Sequence, residues 1–391
     1  MVKNFLYISP QFPPNYIAFS QRLKRFGIRV FGIASDWFGA LPAELQTALA
    51  EYYRVDDMNS YEQMLKAGRY FKDKYGSVDR IESHTEYWLP VEAALRDELD
   101  VWGKRRADMP AIRRKSRMKE IFRAAGIPVA RGCLYDSPEA ARAFAAECGY
   151  PVIAKPDEGV GAAATYNLKD KAALDSFLTL EHNAAYFLEE YVDGEILTFD
   201  GLTNHEGQIV YCNSLRYSTG IMDVVNNDDL VYYYTARDIS SDLEKLGHRT
   251  VQAFGVQEKF FHFEFFRRKK DGAFLGLEVN IRPPGGMTTD MWNYADDIDL
   301  YEEWARIVAH NHIAVNWERK YHVLYASRKH RFRYVFSHQQ ILEKYSSFIC
   351  AHQPMPDLFA GALGNYSYIL RAASLEPLLE AADMIQKRHP A

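Results

Sequence analysis

Two segments that read as a strand pair carry the most chemically pointed residues of this 391-residue chain: Phe260-Phe-His-Phe-Glu-Phe-Phe266 and Phe274-Leu-Gly-Leu-Glu-Val-Asn280. Period-two alternation places Phe261, Phe263 and Phe265 on one face of the first strand, and Leu275, Leu277 and Val279 on one face of the second. The two apolar faces coincide only if opposed residue numbers add to an even value, because a slip of one residue turns every side chain over. A two-residue Asp271-Gly272 turn gives an odd sum. A three-residue Lys270-Asp271-Gly272 loop, with Gly272 left-handed, gives an even one. That register sets Glu264 opposite Glu278 and His262 opposite Asn280. Facing carboxylates, with Cβ atoms roughly 5 Å apart, repel unless solvent, a shared proton or a divalent metal relieves them. Two glutamates and an asparagine are hard oxygen donors, suited to Mg²⁺ or Mn²⁺ and not to Zn²⁺. The hairpin is therefore expected to present a metal face.

Upstream, Val152-Ile-Ala-Lys155-Pro-Asp-Glu-Gly159-Val-Gly161-Ala-Ala-Ala-Thr165 runs from a strand into a loop of small residues. Such a loop lets backbone N–H groups approach phosphate oxygens while a lysine supplies charge. The loop also fits the pattern of a dinucleotide-binding turn. However, Pro156 and Asp157 separate it from its strand, and Thr165-Tyr-Asn167 opens no helix.

Taken in order, these residues resemble the motif set of the ATP-grasp superfamily, specifically its carboxylate–amine ligases, over about 1–315. The resemblance makes Lys115, in Lys-Ser-Arg-Met-Lys, the first nucleotide-phosphate lysine and Lys155 the second. It makes the stretch 158–165, with Gly159, Gly161 and Ala162, a loop that covers the phosphates. Phe187-Leu-Glu189-Glu190-Tyr191-Val192-Asp-Gly-Glu195 is similar to the hinge, whose backbone pairs with adenine while a glutamate binds ribose. That glutamate more often sits one position later, where this chain has Ile196. Glu264, Glu278 and Asn280 match the magnesium ligands. Arg282, in Asn-Ile-Arg-Pro-Pro-Gly285-Gly286, matches the arginine that steadies the transferred phosphate or a substrate carboxylate. Arg282 and Lys155 are thereby the implied catalytic residues. Arg216, in Leu-Arg-Tyr-Ser, His262, Gly285 and Gly286 join Arg282 as substrate contacts.

The implied reaction joins a small-molecule carboxylate to an amine through an acyl phosphate, using ATP and Mg²⁺ (or Mn²⁺) and releasing ADP and phosphate. Activation of bicarbonate, as in carbamoyl-phosphate synthetases and biotin carboxylases, is the rival reaction. A non-catalytic ATP-binding protein is the rival outside enzymes.

The elements that must hold these residues read as α/β. Strands at 4–8, 28–33 and 78–82 alternate with helices near 19–26, 60–74 and 88–98, which implies a parallel sheet over 1–112. An ATP-grasp fold of two α+β subdomains is expected over 113–315, with a lid at about 128–188. A small α+β unit is expected over 316–391. Helix 116–125 turns Met118, Ile121, Phe122 and Ala125 inward, and Ser137-Pro138 opens another helix.

Composition narrows the class. Net charge is -5, so no overall basic field attracts nucleic acid, and no apolar run is long enough to cross a membrane. Four scattered cysteines without metal-like spacing, and no leader-like N-terminus, point to a cytoplasmic protein with reduced thiols. A second copy of the chain is the one macromolecular partner left open.

Overall fold

The computed structural model describes residues 3–159, 164–218, 220 and 229–390. Its N-terminal sheet is parallel throughout, in the order β3 (Glu51–Arg54), β2 (Arg29–Ala34), β1 (Asn4–Ile8), β4 (Arg80–Glu82). Helices Ile17–Arg25, Tyr61–Tyr75 and Leu89–Leu99 connect or cover these strands, as the strand–helix alternation predicts. β3 goes unnoticed in the sequence because Glu-Tyr-Tyr-Arg is half-buried at every position and shows no alternation.

A second sheet of four strands follows, in the order β5 (Gly132–Leu134), β8 (Tyr186–Glu190), β6 (Val152–Pro156), β7 (Tyr166–Leu168). Helices Pro138–Cys148 and Lys171–Leu178 bury Ala141, Ala145, Leu174 and Phe177 against it. Ser137 caps the first of them with Pro138 at its first position.

The third sheet has nine strands. Its path is β14 (Phe274–Asn280), β13 (Phe260–Arg268), β9 (Gly194–Thr203), β11 (Leu215–Tyr217), β12 (Tyr232–Thr235), β15 (His322–Arg328), β17 (Tyr366–Ala372) and β16 (Ile349–Pro354). β10 (Ile209–Asn213) pairs with β9. The tail 316–391 therefore does not build a sheet of its own: β15 pairs with β12, and its three strands extend the central sheet.

Phe199, Phe261, Phe263 and Phe265 are fully buried on one face of this sheet, under helices Lys115–Ala124 and Ser241–Ala253. Each such ring contributes about 1.5–3 kcal/mol of apolar burial. Along the middle of the opposite face stand the polar side chains of Thr198, Asp200, His262 and Glu264, with Phe260 and Leu202 buried at one end. Among the described residues no helix is long and apolar enough to cross a membrane.

Candidate active site

β13 and β14 pair with Glu264 directly opposite Glu278, Phe263 opposite Val279 and His262 opposite Asn280. The expected register holds at the site, but not for the expected reason. Toward the turn, Phe265 faces Gly276, Phe266 faces Leu275 and Arg267 faces Phe274. The loop is four residues long, 269–272: the N–H of Arg268 donates to Ala273 O (2.9 Å) and that of Gly272 to Arg268 O (2.8 Å). Gly272 takes the left-handed conformation at φ 70°. A bulge at Leu277 restores the register before Glu278. Leu275 thereby moves to the face of Phe266, where it packs with Ala130 and Val192, so the grouping of Leu275, Leu277 and Val279 on one face is corrected.

Neither carboxylate stands alone. Glu264 Oε1 lies 3.3 Å from His262 Nε2, and Glu278 Oε1 lies 3.5 Å from Lys115 Nζ. Their side chains keep 24% and 23% of their surface, so solvent alone does not screen the pair. Burial pushes Glu264 up, but the His262 imidazolium outweighs it and holds the group below the usual range. Burial and the facing Glu264 push Glu278 up against the pull of Lys115. His262 Nδ1 is 2.7 Å from Asp200 Oδ1, which lies opposite it on β9. Burial lowers His262, yet Asp200 and Glu264 outweigh burial and raise it to about 9. Local cations are thus a fourth way of relieving facing acids.

The two lysines come from different layers. Lys115 opens helix Lys115–Ala124, and its N–H donates to Asp157 O (2.8 Å). The buried Asp157 carboxylate accepts from Ser116 N (2.7 Å) and Ser116 Oγ (2.9 Å), so a residue just beyond β6 caps that helix. Lys155, on β6, places Nζ 2.6 Å from Glu189 Oε2 on β8. Lys119, one turn after Lys115, places Nζ 2.5 Å from Glu189 Oε1 and donates to Gly276 O (2.9 Å). Burial pushes Glu189 up, but its two ammonium partners outweigh this and hold it at about 2. Burial brings Lys119 down to about 8.

Arg282 follows the hairpin. Its Nη2 donates to Glu86 Oε2 (2.8 Å) and to Asn280 Oδ1 (3.3 Å), and its Nη1 to Pro283 O (2.9 Å). Glu86 arrives from the N-terminal sheet, on the loop after β4. A buried network fixes that loop: Glu92 accepts from Ser83 N (2.6 Å), and Lys259, at the start of β13, pairs with Glu82 and Glu92 (3.4 Å). Gly285 and Gly286 lead into helix Thr288–Asp296. Asn15 Nδ2 donates to Gly286 O (3.3 Å) and Asp290 Oδ2 (2.8 Å), and Tyr16 OH donates to Pro284 O (3.3 Å).

The structure gathers Lys115, Lys155, Glu264, Glu278, Asn280, Arg282 and His262, and it puts two expected residues elsewhere. Arg216 pairs with Leu197, which faces the buried phenylalanine layer, and its charged neighbours are Glu195 and Arg267. Alternation sends Arg216 to the face opposite Glu264, and Tyr217 takes the site face instead. Glu195 pairs with Arg267 on that same far face, and Ile196, beside Phe266, holds the site-facing position. In the hinge, Glu189 turns its carboxylate onto the two lysines. Glu190 is tied to Arg131, which donates from N (2.9 Å) and Nε (2.7 Å). Tyr191 and Val192 lie in the link between β8 and β9, and Val192 is buried beside Ala130. Gly159 is at the start of the small-residue loop, while Gly161 and Ala162 lie outside the described residues.

Glu86, Lys119, Asp157, Asp200 and Tyr217 went unread in the sequence. For Glu86 a cue existed, since loops after the carboxyl ends of parallel strands are where α/β sheets bind ligands. For Lys119 the cue was its spacing of four from Lys115.

The donor set fits a hard dication: two carboxylates and one amide oxygen on one face of paired strands, held within a ring of compensating cations. Residues 148–290 match the model of the ATP-grasp domain. The chain contains an ATP-grasp domain. The chain is 24% identical over 241 residues to the L-arginine-specific L-amino acid ligase of Bacillus subtilis; the match covers 59% of this chain and 57% of that protein's length. The fold is similar to that of the L-amino acid ligase of Bacillus licheniformis, with a TM-score of 0.72 at 14% identity, covering 99% of this chain and 98% of that one. It is also similar to the biotin carboxylase domain of Hydrogenobacter thermophilus 2-oxoglutarate carboxylase, solved with MgADP and bicarbonate. There the TM-score is 0.72 at 16% identity, over 100% and 91% of the two chains.

Proposed function

We propose that the protein is a cytoplasmic, ATP-dependent ligase that joins the carboxylate of one small molecule to the amine of another. The observation that carries this reading is the opposed pair Glu264–Glu278 with Asn280 beside it, between Lys115 on one side and Arg282 on the other. An amine does not displace oxide from a carboxylate, so the acid must first acquire a better leaving group. A carboxylate oxygen attacks the γ-phosphorus of ATP, the bond to the β,γ-bridging oxygen breaks, and ADP leaves. The amine nitrogen then attacks the acyl carbon, the carbon–oxygen bond breaks with loss of phosphate, and the nitrogen gives up its proton to phosphate or water.

For this chemistry the protein supplies position and charge. Glu264, Glu278 and Asn280 would hold Mg²⁺, which offsets the charge of the β- and γ-phosphates when bound. Lys115, beside Glu278, and Lys155, beside Glu189, would hold the phosphates, with Gly159 at the base of the covering loop. Leu275, Phe266, Val192 and Ala130 form an apolar patch beside the hinge that suits a purine face. Arg282, oriented by Glu86, would offset the negative charge that develops on the activated acid.

Phosphate release from Mg·ATP, screened over amino acids offered as acids and as amines, tests the reading. Release that needs both an organic acid and an amine is expected. Release that needs bicarbonate in place of the acid would move the protein to the carboxyphosphate reaction, and no release from any mixture would overturn the reading.

A further inference from the structure

Beyond the nucleotide site, the molecule holds a cavity of about 410 Å³ at the meeting point of three segments: 13–15 of the N-terminal unit, 286–287 and 353–359 of the tail. Its volume falls within the ~300–1,000 Å³ range of small-molecule sites. Pro13, Pro14, Met287, Met355 and Phe359 make its walls largely apolar, and no charged side chain lines it among the described residues. Both of its amides are engaged. Asn15 Nδ2 donates to Asp290 (2.8 Å) and Tyr301 (3.2 Å), and Gln353 Nε2 lies 3.1 Å from Met287 Sδ. A charged group entering it would lose its water with no ionic partner in exchange.

The cavity adjoins the reacting end of the site. Gly286 lies four residues beyond Arg282, and Asn15 and Tyr16 bind the carbonyls of Gly286 and Pro284 between them. At Gly286, φ is 67°, and an added Cβ would come within 2.7 Å of Leu363 Cδ1, so the tail presses directly on this turn. Phe359, one of its wall residues, packs against Phe12 of the N-terminal unit at 5.5 Å between ring centroids.

We propose that this cavity receives the large apolar side chain of one of the two substrates, and that Met355 and Phe359 set its size. The tail 316–391 is then a specificity wall as well as an extension of the sheet. The proposal rests on the ligase reading above, and its test keeps the two apart.

Phosphate release is measured for the wild type with neutral amino acids graded from Ala to Leu to Phe, and with Asp and Lys. The side chain is varied first on the acid and then on the amine. Phe359→Ala enlarges the cavity and Met355→Trp fills it. On one of the two substrates the wild type is expected to prefer Leu or Phe over Ala and to reject Asp and Lys. Met355→Trp should lower the Phe-to-Ala ratio of kcat/KM by ~10-fold or more, the effect of a few methylenes losing their pocket. Phe359→Ala should move the optimum toward bulkier side chains. A size profile that is the same in the wild type and both variants, with phosphate still released, would overturn this proposal and leave the ligase reading standing. A wild type that releases no phosphate from any mixture overturns both.

Discussion

At the scale of single residues, the site is a balance of buried charges. Glu189 holds two ammonium groups at 2.5 and 2.6 Å, and neither Lys119 nor Lys155 has a comparable carboxylate elsewhere among the described ion pairs. Removing the shared carboxylate leaves two cations uncompensated in the interior. Glu189→Gln is therefore expected to destabilise the fold by ~3–5 kcal/mol at neutral pH, read by urea unfolding. The sign with pH follows from the folded value of about 2, which lies below the ordinary 4.5 of a glutamate. The stabilisation is fully present above the ordinary value and is lost as pH falls toward ~2, so the gap between wild type and variant should narrow below ~pH 4. A gap that stays constant with pH would mean that Glu189 is not ionised against its lysines.

Elements decide which of these residues can meet. The hairpin was legible because the alternation of phenylalanines fixes one face of β13, and that face settles where Glu264 points. The turn was not, because a bulge adds a residue that periodicity does not count: Leu277 compensates a four-residue loop, and the site register comes out the same. Arg216 and Glu195 were misplaced for a related reason. Their motifs specify a strand, whereas the facing of each side chain depends on a register with β9, β12 and β13 that one sequence does not display.

The second sheet and helix Lys115–Ala124 meet through Asp157, whose carboxylate binds Ser116 twice and whose carbonyl accepts the N–H of Lys115. Asp157→Ala should cost ~1–2 kcal/mol in thermal unfolding, the size of a helix cap, and should also weaken nucleotide binding because the first turn of the helix that carries Lys115 loses its bonds from Ser116, while the N–H of Lys115 keeps its backbone acceptor. Weaker stability with unchanged nucleotide affinity would reduce Asp157 to a cap.

For the whole molecule, the sequence suggested three units in order; the strands of the third join the central sheet, and how the parts close on one another was not legible. Those contacts come from residues far apart in the chain: Glu86 on Arg282, Lys259 on Glu82 and Glu92, and Leu363 against Gly286. No local pattern encodes such pairs, which join the N-terminal sheet to the central sheet at Arg282 and bring the tail against the Gly286 turn. The proposed reaction requires that the facing glutamates be a place for a divalent ion that also carries a nucleotide. The direct measurement is calorimetric binding of a non-hydrolysable ATP analogue, with and without Mg²⁺, to the wild type and to Glu278→Ala. Mg²⁺ is expected to strengthen binding to the wild type by ~10-fold or more and to add little to the variant, with both proteins equally folded by circular dichroism. An equal gain from Mg²⁺ in both proteins would contradict it.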